Sequence, residues 1–321
     1  MKNKFVKNKF AYLLVVVFLL AAWFILENLQ IKSDDNNSQN KIKIATSIYP
    51  LTDIVENIGK DKVEVVQILP SGASPHGYEP QVSDVKNLKN AQAVFYIGHG
   101  LDDWTLSLAK SAGVEDLNRA DKYVSLLEKT EEHSHEDEDY EDNFTQKYDS
   151  AEDPHYWLSL ENGEQIARQI AEKLVLLDSI NEDYYRNNLD NYVEDMRSSK
   201  LFLNNKIKDL KNRKILVYHD SWQYIARDFD LEVLGALKTS EAHEKGPKHL
   251  EELYGLVEDN NIEVVYGEEQ FSLDQVKPLA QDLDLEVMLL DPLGANSAID
   301  SYIKLMEYNI LKIYEGQSSR N

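Results

Sequence analysis

The sequence contains no cysteine among its 321 residues. This absence excludes disulfide bonds, thiolate metal ligands, cysteine nucleophiles and lipid anchors attached to cysteine. A bound metal ion would therefore have to be held by imidazole nitrogens and by oxygens.

Basic residues are also scarce, with 34 Lys and Arg against 57 Asp and Glu and a formal net charge of −23. Recognition of a phosphate backbone needs a basic surface, so we expect no nucleic-acid partner. A negative surface field attracts cations instead. Hydrophobic residues make up 42% of the chain, which is enough for a buried core, and the length predicts about two domains.

Short catalytic motifs are absent as well. The sequence has no G-x-S-x-G elbow, no phosphate-binding Walker loop, no G-x-G-x-x-G and no H-E-x-x-H. Glu268 and Glu269 end a predicted strand and could act as an acid or a base, but a solvated or helix-capping carboxylate pair is the better interpretation. We therefore predict that the protein is not an enzyme.

The N-terminal segment, residues 1–40, is predicted to lie outside the fold. Four lysines among the first nine residues precede an uninterrupted apolar run over residues 10–26. This run reaches the lower limit of a membrane span, about 17 residues, and exceeds the apolar part of most signal peptides. The lysines place residues 41–321 outside the cytoplasm. We predict an uncleaved anchor in the cytoplasmic membrane, with a cleaved signal peptide and a secreted or periplasmic protein as the alternative.

Short β-branched runs alternate with helical patterns from Lys41 onward, which is typical of α/β architecture. The predicted strands cover residues 41–47, 63–70, 93–98, 214–219, 231–237, 262–269 and 285–292. They fall into two sets, which predicts two α/β lobes with parallel sheets, over residues 41–180 and 213–321.

One long helix is predicted to join the lobes, over residues 181–212. No Gly or Pro interrupts the chain from Glu164 to Leu234, and apolar residues recur at helical spacing between Tyr185 and Leu210. Such a helix would span about 45 Å. Two shorter helices with a turn near residues 198–199 are the alternative.

A strongly acidic stretch over residues 131–142 contains eight carboxylates and two histidines without apolar periodicity. It predicts a solvated, disordered loop over residues 128–150 of the first lobe. The loop could serve only for solubility, or it could collect divalent cations weakly. The two functions are compatible.

Four side chains lie where parallel sheets usually bind their ligands. His76 follows the second predicted strand, and His155 stands behind a proline just before a helix, whereas His219 and Asp291 each close a predicted strand. Ligands of open α/β sheets bind at the carboxyl ends of strands, so these groups would meet in a cleft between the lobes. Three imidazoles and one carboxylate predict a tetrahedral zinc site. A set richer in carboxylates would favour manganese.

The other histidines rank lower as ligands. His99 is predicted to be a solvated loop residue, His243 and His249 flank a Gly-Pro turn and are predicted to face water, and His133 and His135 belong to the acidic stretch.

Five ordered motifs connect these residues to a known family: SIYPLTDIVENIG, LPSGASPHGYEPQVSDVKNLKNA, DPHYWLS, YHDSWQYIARDFDLE and LDPLG. From about Lys41 to Gly316 the sequence resembles the metal-specific solute-binding proteins of ABC importers, the zinc/manganese type with the TroA-like fold. The resemblance implies two α/β lobes joined by one long backbone helix, with the metal between them. It also implies His76, His155, His219 and Asp291 as ligands.

In that family, histidine at the third ligand position accompanies zinc and glutamate accompanies manganese, so His219 implies the zinc subgroup. The resemblance implies a monomeric, high-affinity Zn²⁺ receptor that delivers its ion to the permease subunits of an ABC importer. A manganese or iron receptor of the same family is the first alternative. A zinc-dependent hydrolase and a surface adhesin are alternatives of other classes. The family's lipid-bearing cysteine is missing, which fits tethering by residues 10–26 or secretion.

Overall fold

Parallel strands alternate with helices throughout the part of the chain that the structure describes. The structure is a computed structural model, and it describes residues 41–127, 152–238 and 247–318 together with Trp23. Within these ranges, no helix combines the length and the apolar character that crossing a membrane requires. The predicted anchor over residues 10–26 (Trp23 apart), the acidic stretch, His243 and the side chain of His249 lie outside the described residues.

The first lobe is built on a four-stranded sheet with the strand order β2-β1-β3-β4. Its strands are β1 (Ile42–Thr46), β2 (Val63–Gln67), β3 (Ala93–Tyr96) and β4 (Leu117–Arg119). Its helices are α1 (Tyr49–Gly59), α2 (Val82–Leu88), α3 (Trp104–Ala112) and α4 (Leu160–Leu177), with a short 3₁₀ turn over Lys60–Lys62. β3 pairs in parallel with both β1 and β4. Most side chains on β1 and β3 are buried, among them Ile44 and Phe95, so the core of this lobe lies around its sheet.

The second lobe repeats this plan with the strand order β6-β5-β7-β8, and every pair of neighbouring strands is parallel. Its strands are β5 (Lys214–His219), β6 (Glu232–Lys238), β7 (Val264–Glu268) and β8 (Glu286–Leu290). Its helices are α6 (Gln223–Phe229), α7 (Pro247–Asn260), α8 (Leu273–Asp282) and α9 (Tyr302–Ser318). The predicted class, two α/β lobes with parallel sheets, is confirmed.

A single helix, α5 (Glu182–Ile207), links the two lobes, so the long backbone helix of the predicted fold is present. Its 26 residues correspond to about 39 Å. The helix runs without a break through Ser198 and Ser199, which excludes the alternative of two helices. Ser199 is buried and donates a hydrogen bond to Glu307 on α9. The apolar stripe that predicted the helix is its buried face.

Buried hydrogen bonds tie the linking helix to both lobes. The carboxylate of Asp53 on α1 accepts from the hydroxyl of Tyr192 on α5, at 2.8 Å, and from the backbone N–H of Tyr302 on α9, at 3.0 Å. The Tyr302 hydroxyl in turn donates to the carbonyls of Trp157 and Ser159. Because these contacts cross between lobes, we expect metal binding to move loops more than whole lobes.

Two local details differ from the sequence-based predictions. Ser83 is of a residue type that favours the N-cap, which would start α2 at Asp84, but the helix begins at Val82 and Gln81 occupies the cap, paired with Asp84 in a capping box. Strand β4 was not predicted, since its three residues are too few to show alternation.

A buried carboxylate holds the loop at the carboxyl end of β3. Asp102 is fully buried and accepts the backbone N–H groups of Ile97, at 2.9 Å, and Gly98, at 2.7 Å. Burial raises the pKa of Asp102 from 3.8 to about 6, because it outweighs the opposing effect of these two hydrogen bonds.

We expect Asp102→Asn to destabilise the protein more at pH 5 than at pH 7.5. Between about pH 4 and pH 6 the folded state binds a proton at Asp102 that the unfolded state has released, so this contribution to stability falls as pH rises. The destabilisation should be larger at pH 5 by about 1 kcal/mol. Urea unfolding of both proteins at the two pH values measures this difference, and a pH-independent effect would contradict the prediction.

Candidate metal centre

His76 is carried by the loop between β2 and α2. The preceding residue, Pro75, is buried, and its carbonyl accepts a hydrogen bond from Trp104 Nε1 at 2.9 Å. This contact fixes the loop to α3, while the His76 side chain itself is exposed. The loop therefore presents an imidazole at the carboxyl edge of the first sheet.

His155 is held by a carboxylate two residues before it. Asp153 Oδ1 accepts from the backbone N–H of His155, at 2.9 Å, and from its Nδ1, at 2.8 Å. Tyr224 of the second lobe donates to the Asp153 carbonyl at 2.8 Å, which anchors the segment. Since a carboxylate only accepts, the hydrogen of the ring lies on Nδ1 and the lone pair lies on Nε2.

His219 is the last residue of β5, and Glu268 ends the neighbouring strand β7. Glu268 Oε1 lies 3.3 Å from His219 Nδ1 and also accepts from Ser221 Oγ, at 2.6 Å, and Trp222 Nε1, at 3.0 Å. Burial alone raises the pKa of Glu268, but His219 and the Ser221 hydroxyl outweigh it, so this pKa lies below its ordinary value. Glu268 is therefore an ionised acceptor, and because it contacts Nδ1, Nε2 is the candidate ligand atom of His219.

The three imidazoles converge although 143 residues separate the first from the last. One ring nitrogen from each of His76, His155 and His219 lies within 4.8 Å of the others, and among the described residues no other such group occurs. His76 Nε2 and His155 Nε2 are 3.4 Å apart. Two nitrogens bound tetrahedrally to one zinc ion would be separated by about 3.3 Å. The arrangement is therefore of a size that suits a single divalent ion.

Asp291, the fourth predicted ligand, lies directly after β8 but outside this group. Its carboxylate is fully buried. Oδ1 accepts from the backbone N–H groups of Leu293, at 3.0 Å, and Gly294, at 2.8 Å, while Oδ2 accepts from that of Asn296, at 2.8 Å. The carboxylate thus organises the turn after β8.

The same turn requires glycine at residue 294. Its φ of +73° is a conformation that other residues rarely adopt, and an added Cβ would lie 2.5 Å from a ring carbon of Tyr49. Gly294 therefore lets the turn that holds Asp291 pack closely against the first lobe.

A small cavity of about 20 Å³ adjoins the three imidazoles. It is lined by both lobes, through Ser74, Pro75, His76, His155, Trp157, His219, Ser221, Glu268, Gln270, Phe271, Pro292 and Leu293. Sites for organic ligands usually measure about 300–1,000 Å³, whereas one water needs only about 10–15 Å³. The cavity has room for an ion or a water and not for an organic substrate.

His99 differs from its prediction. The sequence predicted a solvated loop residue, but His99 is only 9% exposed. Its Nε2 lies 2.9 Å from Asp121 and its Nδ1 lies 3.1 Å from Glu152. Two carboxylates contact the two ring nitrogens, so His99 serves as a structural residue away from the group of three.

Comparison with known proteins decides the family. The family model described as ZnuA, the periplasmic zinc-uptake complex component A, matches residues 44–316. The chain belongs to this family. The resemblance drawn from the motifs is thereby confirmed, and the family is one of substrate-binding proteins for metal ABC transporters and not of enzymes.

Relatives in the ZnuA family carry names for two metals. The high-affinity zinc uptake system protein ZnuA of Bacillus subtilis is 26% identical over 305 residues, covering 92% of this chain and 94% of that protein. The manganese ABC transporter substrate-binding lipoprotein PsaA of Streptococcus pneumoniae is 27% identical over 299 residues, covering 88% and 91%. A crystal structure of a ZnuA deletion mutant with zinc bound superposes with a TM-score of 0.74 at 28% identity, covering 88% of this chain and all of the other.

Two residues of the centre were missed or misjudged from the sequence. Asp153 was not singled out, although its position two residues before His155 allows a local contact between the two side chains. Glu268 was considered only as an acid or a base. Its contact with His219 depends on β5 and β7 being neighbours, which the sequence pattern does not reveal.

Proposed function

We propose that this protein captures Zn²⁺ outside the cytoplasmic membrane and delivers it to the permease subunits of an ABC importer. The observation that carries the proposal is the convergence of three histidines from two lobes on a space the size of one ion. His76, His155 and His219 would supply three nitrogen ligands. Membership of the ZnuA family supports transport as the purpose of the site.

The choice of zinc rests on the chemistry of the donors. Neutral imidazoles suit zinc, whereas manganese prefers sites richer in carboxylates and water. The third position is a histidine, His219, and the carboxylates of Asp153 and Glu268 contact the Nδ1 atoms of His155 and His219. A manganese receptor is the second candidate, because relatives named for manganese are as similar to this chain as those named for zinc.

The two carboxylates behind the ligands would also balance the charge of the ion. Asp153 and Glu268 are both buried, and each contacts the Nδ1 of one imidazole. Hydrogen bonds of this kind orient a ligand ring and increase the basicity of its other nitrogen. A divalent cation bound between them would meet two compensating charges.

The place of action follows from the N-terminal segment and from the relatives. Several relatives are named lipoproteins of metal ABC transporters. This chain has no cysteine for such a lipid, so we propose that residues 10–26 tether it to the outer face of the membrane.

Metal analysis of the purified full-length protein tests the proposed function. We expect one equivalent of zinc, and competition among Zn²⁺, Mn²⁺ and Fe²⁺ should favour zinc. One equivalent of manganese retained in preference to zinc would favour the second candidate, and the absence of any stoichiometric metal would reject both.

We expect Glu268→Gln to weaken zinc binding by about 10- to 100-fold, as is usual when a partner of a metal ligand is changed. The substitution keeps the size of the side chain but removes the charge that faces His219. Competition with a chromophoric chelator measures the affinity. Glu269→Gln is the matched control, since Glu269 follows directly but does not line the cavity. Equal affinities of the two variants would contradict the prediction.

A further inference from the structure

The hydroxyl of Tyr224, on α6 of the second lobe, joins two segments of the first lobe. It accepts the backbone N–H of Leu127 at 2.9 Å and donates to the carbonyl of Asp153 at 2.8 Å. The backbone N–H of Asp153 donates in turn to the carbonyl of Leu127 at 2.8 Å. These three hydrogen bonds form a closed ring, so one side chain of α6 holds the two segments that flank residues 128–151.

The tyrosine is well suited to this contact. Its side chain is fully buried, and burial raises the pKa of the hydroxyl, so it keeps the proton that it donates to Asp153. The guanidinium of Arg227, also on α6, lies 5.3 Å from the centre of the Tyr224 ring and donates to the carbonyl of Ser125 at 3.2 Å. Helix α6 therefore contacts the first lobe at more than one point.

A short series of contacts connects Tyr224 with His219 inside the second lobe. His219 precedes Tyr224 by five residues, and its carbonyl accepts the backbone N–H of Ser221 at 2.9 Å. The side chains of Ser221 and Trp222 both donate to Glu268. That carboxylate also contacts Nδ1 of the same histidine. The residues between the imidazole and the hydroxyl are thus held to one another.

A second series of contacts connects Tyr224 with His155 in the first lobe. The hydroxyl binds the backbone of Asp153, whose carboxylate accepts from both the backbone N–H and the Nδ1 of His155. The rings of His155 and His219 have their centres 5.1 Å apart and are nearly perpendicular, at 84°. The Tyr224 hydroxyl therefore links two imidazoles that come from different lobes.

We propose that Tyr224 is a positioning residue whose hydroxyl fixes the segment of His155 relative to His219 before a metal ion arrives. The inference rests on the proposed function, since it assumes that both imidazoles bind the ion. Groups that are already in place lose little conformational entropy when a ligand binds, so this preorganisation strengthens binding. Tyr224 acts on metal affinity in this way although it does not line the cavity.

Removing only the hydroxyl tests this role. Tyr224→Phe keeps the aromatic ring, and we expect it to weaken zinc binding by about tenfold, as when a partner of a metal ligand is changed. Tyr266→Phe is the matched control, because Tyr266 is an equally buried tyrosine whose hydroxyl donates within the second lobe, to the carbonyl of Ile313. Its zinc affinity should be unchanged. Chelator competition on the full-length proteins measures both affinities.

A double-mutant cycle separates positioning from a general loss of structure. In a protein that carries His155→Ala, the imidazole that Tyr224 positions is gone, so adding Tyr224→Phe should change the zinc affinity by less than about twofold. A merely structural role would instead lower the affinity by the same factor with and without His155. That result would overturn the inference, and so would wild-type affinity in the Tyr224→Phe protein.

Amide hydrogen exchange of the wild-type protein gives a test that depends on no substitution. If the hydroxyl acts before metal binding, the N–H of Leu127 is already protected in the zinc-free protein. It should then exchange at least about tenfold more slowly than in an unstructured chain. NMR measures this rate with and without zinc. Protection that develops only after zinc has bound would contradict the preorganisation, even if Tyr224→Phe fails to fold.

Failure of this inference is distinct from failure of the proposed function. Each result that overturns the role of Tyr224 leaves a wild-type protein that binds one zinc ion. A wild-type protein that binds neither zinc nor manganese would reject the proposed function itself.

Discussion

Replacing His155 with alanine is expected to weaken zinc binding by at least about 100-fold. Zinc sites with four ligands are stabilised by about 10–16 kcal/mol, or roughly 3 kcal/mol for each ligand, and every 1.4 kcal/mol corresponds to a factor of ten. His155 is buried and its ring is oriented by Asp153, so the substitution removes a preorganised nitrogen ligand. Chelator competition with the purified variant measures the loss.

His99→Gln is the control for this variant. His99 is also a buried histidine that contacts carboxylates, but it lies outside the group of three. Both substitutions remove a buried imidazole, and only the one at His155 should reduce the zinc affinity. Tight binding of one zinc ion by the His155→Ala protein would contradict the site proposed here, whatever the affinity of the His99→Gln protein.

Zinc affinity is expected to fall by at least about 100-fold when the pH is lowered from 7 to 5. Histidine side chains ordinarily have a pKa near 6.5, and an imidazole must be neutral to bind a metal. Protons therefore compete with the ion at every nitrogen ligand, and the dissociation constant rises as pH falls. Glu268 does not cause this loss, because its pKa lies below the ordinary value of 4.5 and the group stays ionised over the whole range.

The pH dependence also measures how many imidazoles bind the ion. For each imidazole that is protonated in the free protein, the logarithm of the affinity changes by about one per pH unit. A variant that lacks His155 should show a shallower dependence than the wild-type protein. Circular dichroism at each pH checks that the protein stays folded. A dependence equally steep in both proteins would show that His155 is not among the ligands of the ion.

Much of the architecture could be predicted from local patterns in the sequence. The strands β5 and β7 were found from short β-branched runs, and the helix α5 was found from a stripe of apolar residues without Gly or Pro. Such patterns reflect which side of an element is buried, and a few neighbouring residues determine them. Element ends were less certain, as the position of Ser83 inside α2 illustrates.

The absence of thiolate chemistry, the two-lobed class, the family resemblance and the three histidines at strand ends or in loops could all be recognised in the sequence. The contact of Glu268 with His219, the burial of His99, and the backbone N–H groups that hold Asp291 with Gln270 beside it became visible in the three-dimensional structure. The reason is physical. A local pattern depends on residues a few positions apart. These contacts depend instead on which strands become neighbours in the sheet and on how closely loops from distant parts of the chain approach one another.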